Sequence, residues 1–264
     1  MIKSLYTAAT GMKVQQLSLD VVANNLANVN TTGFKKSQVS FEDLLYVSLR
    51  RPGTDVSDGI RAPVGLEVGS GSRAVATTKL FSNGVLEITN RPLDVAIQGD
   101  GFLQVTDPQG QLKYTRNGNL QRDGATGNLV TADGLTLSPA ITVPQDATSI
   151  SIGLDGTVQA ESSATPGTST QVGRITLARF VNPSGLLSQG GSYYIETPAS
   201  GPATVANPGE QGTGTLQQGF LEKSNVDVVS ELVNLIIAQR AYEVNSRAIR
   251  SSDEMLQATN AIVR

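Results

Sequence analysis

Val228-Val-Ser-Glu-Leu-Val-Asn-Leu-Ile-Ile-Ala-Gln-Arg-Ala-Tyr-Glu-Val-Asn-Ser246 is the stretch on which the reading of this chain turns. Val228, Leu235 and Tyr242 recur every seven residues, and the row continues through Ile249, Leu256 and Val263. Leu232, Ala241, Ala248, Met255 and Ile262 widen it. A sustained heptad row predicts a long helix that packs along another helix. Gln239, Ser246, Asp253 and Asn260 are polar, so only part of the seam is dry. Ser224-Asn-Val-Asp227 supplies an S-x-x-D start, and Glu243 and Arg247 stand at the favourable i,i+4 spacing.

A matching pattern lies at the other end. Ile2, Leu5, Ala9, Met12, Gln16, Leu19, Ala23 and Leu26 alternate spacings of three and four, interrupted once by a polar residue. Asn28-Val-Asn-Thr-Thr-Gly33 then stops the helix. Isolated helices are marginal in water, so these segments are expected to be mobile in a monomer and to order against each other and against neighbouring copies. A plain helical hairpin packed on the rest of the chain is the alternative reading of the same pattern.

Between the ends the period becomes two. Alternating runs flank Gly99-Asp-Gly101, Asn117-Gly118 and Asp155-Gly156, each read as a β-hairpin. The expected fold is therefore α+β: long N- and C-terminal helices pairing as a coiled-coil-like domain, with a central all-β domain of hairpins. Its expected segments are 1–46 (helical), 47–66 (extended linker or insertion), 67–218 (β-rich) and 219–264 (helical).

Composition narrows the function. The chain has no Cys and no His, which removes disulfides, thiolate nucleophiles and the commonest general base and metal ligand. A net charge of −3 with no basic run argues against nucleic acid. Residues 1–13 have too short an apolar stretch, closed by Lys13, for a cleaved secretory leader. Gly69-Ser-Gly71-Ser-Arg-Ala74 fits a dinucleotide fingerprint only if a helix follows, and Val75-Ala-Thr-Thr-Lys-Leu80 reads as β. Asp94, Asp100, Asp123, Asp133 and Asp155 mostly sit beside Gly, as turn residues do. Asn30-Thr-Thr32 matches a glycosylation sequon, a pattern common by chance and here placed in a helix-ending turn. No catalytic, cofactor-binding or metal-binding residue is assigned, and no cofactor is expected.

Four stretches carry a resemblance: Ala23-Asn-Asn-Leu-Ala-Asn-Val-Asn-Thr-Thr-Gly-Phe-Lys35, Val95-Ala-Ile-Gln-Gly-Asp-Gly-Phe102, Tyr114-Thr-Arg-Asn-Gly118, and Gly219-Phe-Leu-Glu-Lys-Ser-Asn-Val-Asp227 continuing into Gln239–Ser246. They resemble the blocks of the bacterial flagellar rod and hook axial proteins. Gly65–Thr77, after an insertion following Tyr46, looks like the distal-rod branch of that family, with a proximal rod subunit as the alternative. The resemblance implies a non-enzymatic subunit that stacks helically into a hollow drive shaft and passes torque from motor to hook. It implies as partners other copies of the chain, proximal rod proteins, hook protein, the peptidoglycan and outer-membrane rings, and the flagellar export apparatus. It also implies export without a cleaved signal to a rod crossing the periplasm. Leu5, Met12, Leu19, Asn24, Asn25, Leu26, Asn28, Phe34, Val228, Leu235, Tyr242, Ile249 and Leu256 are the expected assembly interface. Asn24, Asn25 and Asn28 are expected to bond between subunits. A secreted β-rich adhesin is the reading from another class, but it gives no reason for heptads at both ends.

Overall fold

A computed structural model of the chain describes residues 2–53, 55–57, 60–61, 63–163 and 167–262. Val263 lies outside these, and among the helix ends the side chains of Ile2, Asn260 and Ile262 are likewise not described. The chain forms two compact units, both discontinuous in sequence. Residues up to 27, 37–78 and from 227 onward make the first, and 28–36 with 79–226 make the second.

Two long helices dominate the first unit, α1 (Ile2–Ala27) and α2 (Val228–Ile262). Ser4 Oγ lies 3.4 Å from Ser252 Oγ, and Asn25 Nδ2 donates to Glu231 Oε2 at 3.2 Å. A Cβ added at Gly11 would stand 2.9 Å from Asn245 Nδ2. Positions 4, 11 and 25 thus meet 252, 245 and 231, so the helices run antiparallel and touch at heptad intervals. The start of α2 falls slightly later than the Ser224 motif suggests. Asp227 is the cap, accepting from Val229 N at 3.3 Å and Ser230 N at 3.4 Å, while Ser224 Oγ accepts from Val226 N at 3.3 Å.

The same unit carries paired strands. Ser37–Asp43 pairs with Ser72–Lys79, and Tyr46–Arg50 runs antiparallel to Leu66–Gly69, with Asp55–Ser57 and Ile60–Arg61 paired between them. Within the stretch expected as an extended linker, the described residues thus include paired strands. A strand and not a helix follows Gly69-Ser-Gly71, as the turn reading requires. Gly71 answers to packing, since a Cβ there would come within 2.2 Å of Thr10 Oγ1 on α1.

The second unit is β throughout. Phe102–Thr106 is central to its main sheet, flanked by Leu112–Thr115 and by Thr136–Leu137, with Leu177–Arg179 also pairing to it. Ala147–Ile152, Thr157–Ser162 and Ser169–Arg174 form a smaller sheet. Val95, Ile97, Leu103, Leu137, Val158 and Leu177 anchor one core, and a second is aromatic, with Phe102, Tyr114, Phe180 and Tyr194. The rings of the aromatic core meet edge to face at 4.8–5.9 Å.

Of the three expected hairpins, only the one at Asp155-Gly156 forms, with Ile150 opposite Ala160 and Ile152 opposite Val158. Val95–Gln98 pairs with Thr215–Gln218, so the chain changes sheets at Gly99-Asp-Gly101. Leu120–Arg122 pairs with Leu129–Thr131 and not with the strand before Asn117-Gly118. Gly118 instead marks a close crossing: a Cβ there would lie 1.6 Å from the Val95 carbonyl oxygen. Both dipeptides carry turn chemistry, but distant strands competed for the flanking edges and won.

Candidate assembly interface

The fully buried positions of the two helices mix modest apolar side chains with polar ones. Ala8, Val14, Val22 and Asn25 are the buried residues of α1, and Glu231, Ala238 and Ser252 those of α2. The expected interface residues lie beside these positions. Leu5, Met12, Leu19, Leu26, Leu235, Ile249 and Leu256 are half-buried, whereas Val228, Tyr242 and Asn24 are exposed. Asn28 and Phe34 belong to the second unit and are half-buried, with Lys79 Nζ 5.1 Å from the Phe34 ring centre.

Asn25 is 1% exposed, and its amide is engaged inside the chain. Its Oδ1 accepts from Ser37 N at 2.9 Å, while Nδ2 donates to Ser37 O at 2.8 Å and to Glu231 Oε2. The carboxamide reproduces a peptide edge and ties the start of strand Ser37–Asp43 to both helices. Asn28 Oδ1 accepts from the Thr31 hydroxyl at 3.2 Å in the helix-ending turn.

On α2 a broad apolar face is left in water. Val229, Val233 and Ile237 form one row and Leu232 and Ile236 the next, with exposures from 43% at Leu232 to 69% at Val229. Val244 continues it, and Tyr6 and Leu17 are exposed on α1. Contiguous exposed apolar surface on a helix marks a candidate interaction face.

In the second unit Lys35, Arg116 and Glu222 form a charged cluster sealed from solvent. Lys35 Nζ lies 2.7 Å from Glu222 Oε1, and Arg116 Nε lies 2.9 Å from Glu222 Oε2. The arginine contact is ionic, its angle falling outside hydrogen-bonding geometry. Lys35 Nζ also donates to Ser82 O at 2.7 Å, Gly84 N to Glu222 Oε1 at 2.8 Å, and Arg116 Nη2 to Gly99 O at 2.6 Å. Two cations share one carboxylate. Burial, reinforced by the Arg116 charge, lowers the Lys35 ammonium from its usual 10.5 to about 8 against the opposing pull of Glu222.

The turn aspartates are scattered. Asp123 accepts from Ala125 N and Thr126 N, and Asp155 from Thr157 N; the Thr126 and Thr157 hydroxyls lead in holding these carboxyls below the usual range. Asp94 departs from the turn reading, being fully buried with Arg91 Nε 3.9 Å away.

Comparison with known proteins gives this arrangement a family. Residues 5–35 match a model described as flagella basal body rod protein, 96–160 the flagellar hook protein FlgE/F/G D1 domain, and 217–262 the flagellar basal body rod FlgEFG protein C-terminal. The chain is 46% identical over 262 residues to the flagellar basal-body rod protein FlgG of Caulobacter vibrioides, covering 99% of each. It is 47% identical over 260 residues to FlgG of Buchnera aphidicola subsp. Schizaphis graminum, covering 97% of this chain and 98% of that one. With FlgG of Borreliella burgdorferi it shares 43% over 266 residues, the full length of both. The chain belongs to the flagellar basal-body rod family.

This rod protein is a structural subunit of the flagellar rod, not an enzyme. The buried Lys35–Arg116–Glu222 cluster draws one residue from each matched block: Lys35 from the first, Arg116 from the second and Glu222 from the third. Sequence reasoning quoted all three within signatures yet gave none a role, and it passed over Glu231. The available signal was a charged residue set among glycines and apolar residues in a recurring motif.

Proposed function

We propose that this rod protein is a distal-rod subunit that stacks helically with its own copies into a hollow shaft and passes torque to the hook. The observation carrying the reading is the apolar face of α2, from Val229 through Leu232, Val233, Ile236 and Ile237. A monomer keeps that face in water, whereas a head-to-tail contact whose rotation does not close buries it in every copy but the last. Leu5, Met12, Leu19, Leu26, Val228, Leu235, Tyr242, Ile249 and Leu256 flank the seam and would complete the contact in a coiled-coil-like layer. Asn24, Asn28 and Phe34 would contribute at the helix end. Residues 1–46 and 219–264 are the assembly segments in this reading, 67–218 the central β-rich domain adding lateral contacts, and 47–66 an extended insertion. The polar row Gln239, Ser246, Asp253 and Asn260 is suited to line a channel that must not trap passing chains.

As a distal-rod subunit the protein would leave the cell interior through the flagellar export apparatus without a cleaved leader. It would cross the periplasm within the peptidoglycan and outer-membrane rings and join proximal rod proteins to the hook. Electron microscopy of basal bodies from a strain lacking this gene tests the reading. A rod stub of proximal length with inner rings kept and hook absent is the expected result; a shorter stub would assign the proximal rod, and intact flagella would overturn the proposal.

A further inference from the structure

We infer that Lys35, Arg116 and Glu222 form a clasp that docks two ends of the chain as one event: the strap 28–36, which leads out of α1, and the root 219–226, which leads into α2. The strap is threaded between residues 80–84 and 222–225. Gly33 N donates to Glu222 O at 2.8 Å, Lys36 N to Asn225 Oδ1 at 2.8 Å, and Leu80 N to Lys36 O at 3.0 Å. Asn225 Nδ2 in turn donates to Leu80 O at 2.8 Å, and Lys223 N to Val85 O at 2.9 Å. Strap and root are thus each other's hydrogen-bonding surface.

The charges make the dependence unequal. Burying an ammonium group is costly unless a carboxylate meets it, and the carboxylate that meets Lys35 belongs to the root. Glu222 is fully buried in turn, with both oxygens against cations. Removing Lys35 leaves a balanced Arg116–Glu222 pair. Removing the Glu222 charge leaves two sealed cations with no counterion, which raises the cost of the closed state relative to one in which strap and root leave together and hydrate Lys35. The chain continues from the strap straight into α1 at Ala27, and from Val226 through Asp227 into α2. The two segments that lead out of α1 and into α2 are therefore held together or freed together.

Native-state hydrogen exchange of the full-length chain across a urea series tests this. The amides of Gly33 and Lys36 in the strap and Lys223 in the root should open with one free energy and one urea slope; two distinct openings would overturn the clasp. Glu222→Gln should speed exchange in both segments by about two orders of magnitude while the Phe102–Thr106 strand stays protected. Lys35→Met should leave them far closer to the unsubstituted chain. Release of one segment alone by Glu222→Gln, or equal release by both variants, counts against the proposal. Asn83→Asp adds a carboxylate where Asn83 Oδ1 now accepts from Arg116 Nη2 at 3.2 Å, and it should slow the shared opening. Should Glu222→Gln fail to fold, the urea series on the unsubstituted chain decides alone.

Discussion

Asn25 pairs edge to edge with the backbone of Ser37, accepting its N–H at 2.9 Å and donating to its C=O at 2.8 Å. The side chain of one helix residue thereby stands in for a neighbouring strand. Truncation would remove both of these bonds in a part-buried place. Asn25→Ala should destabilise the helical unit by about 1–3 kcal/mol. Asn25→Asp should cost more, because it sets a second carboxylate against Glu231, now 3.2 Å from Nδ2. Thermal melts followed by helical circular dichroism would rank the two. Equal melting of both variants and the unsubstituted chain would show that the pairing carries no stability.

A different outcome is expected on the open face of α2. Val233 and Ile237 are half or more exposed, so Val233→Glu with Ile237→Glu should change monomer stability by no more than about 0.5 kcal/mol. The same pair of carboxylates should abolish assembly and motility. Complementation of a deletion strain gives the readout, and normal swimming would remove this face from the interface.

Stability should depend on pH through Lys35. Its pKa of about 8 in the fold, against 10.5 unfolded, means that between those values the unfolded chain holds a proton the fold has released. The sign follows: stability rises with pH across that window, by at most about 1.4 kcal/mol per pH unit for one group. Lys79, also lowered by burial, adds in the same direction. Above about 10 buried Tyr193, pushed up to about 12, reverses the trend because the unfolded phenol ionises first. Urea titrations from about pH 7.5 to about pH 10 should show the rise, reduced in Lys35→Met. An unchanged slope in that variant would assign the effect elsewhere.

The two helices should be the least protected part of a dissolved monomer. None of their large Leu, Ile or Met side chains is fully buried among the described residues, so pairing removes only part of their apolar surface from water. Amides of α1 and α2 should exchange well ahead of those in the central β strands, and slow markedly in the assembled rod. Protection equal to that of the β core in the monomer would contradict this.

Much of the fold was legible because it is local. Heptad rows located α1 and α2, the Asn28–Gly33 turn closed α1, and Asp155-Gly156 made its hairpin. What failed was non-local. Asn117-Gly118 has the chemistry of a hairpin turn, but the glycine is there for the Val95 carbonyl passing over it. The heptad count located the helices without ranking their faces, because apolar spacing could not reveal that Ser4, Gly11 and Asn25 would face Ser252, Asn245 and Glu231. Residues 28–36 lie next to a helix in sequence yet group with the strands, where Lys35 meets Glu222 far down the chain.

That placement bears on timing. Lys35 and Glu222 are 187 positions apart, so a chain delivered N-terminus first, from a ribosome or through a narrow conduit, exposes its lysine long before the glutamate arrives. Closing so distant a contact is slow, and here it cannot begin until the strand Phe220–Glu222, just ahead of α2, has emerged. The protein carries a built-in delay: the β unit stays unfinished while most of the chain is still in transit, and maturation waits on its arrival.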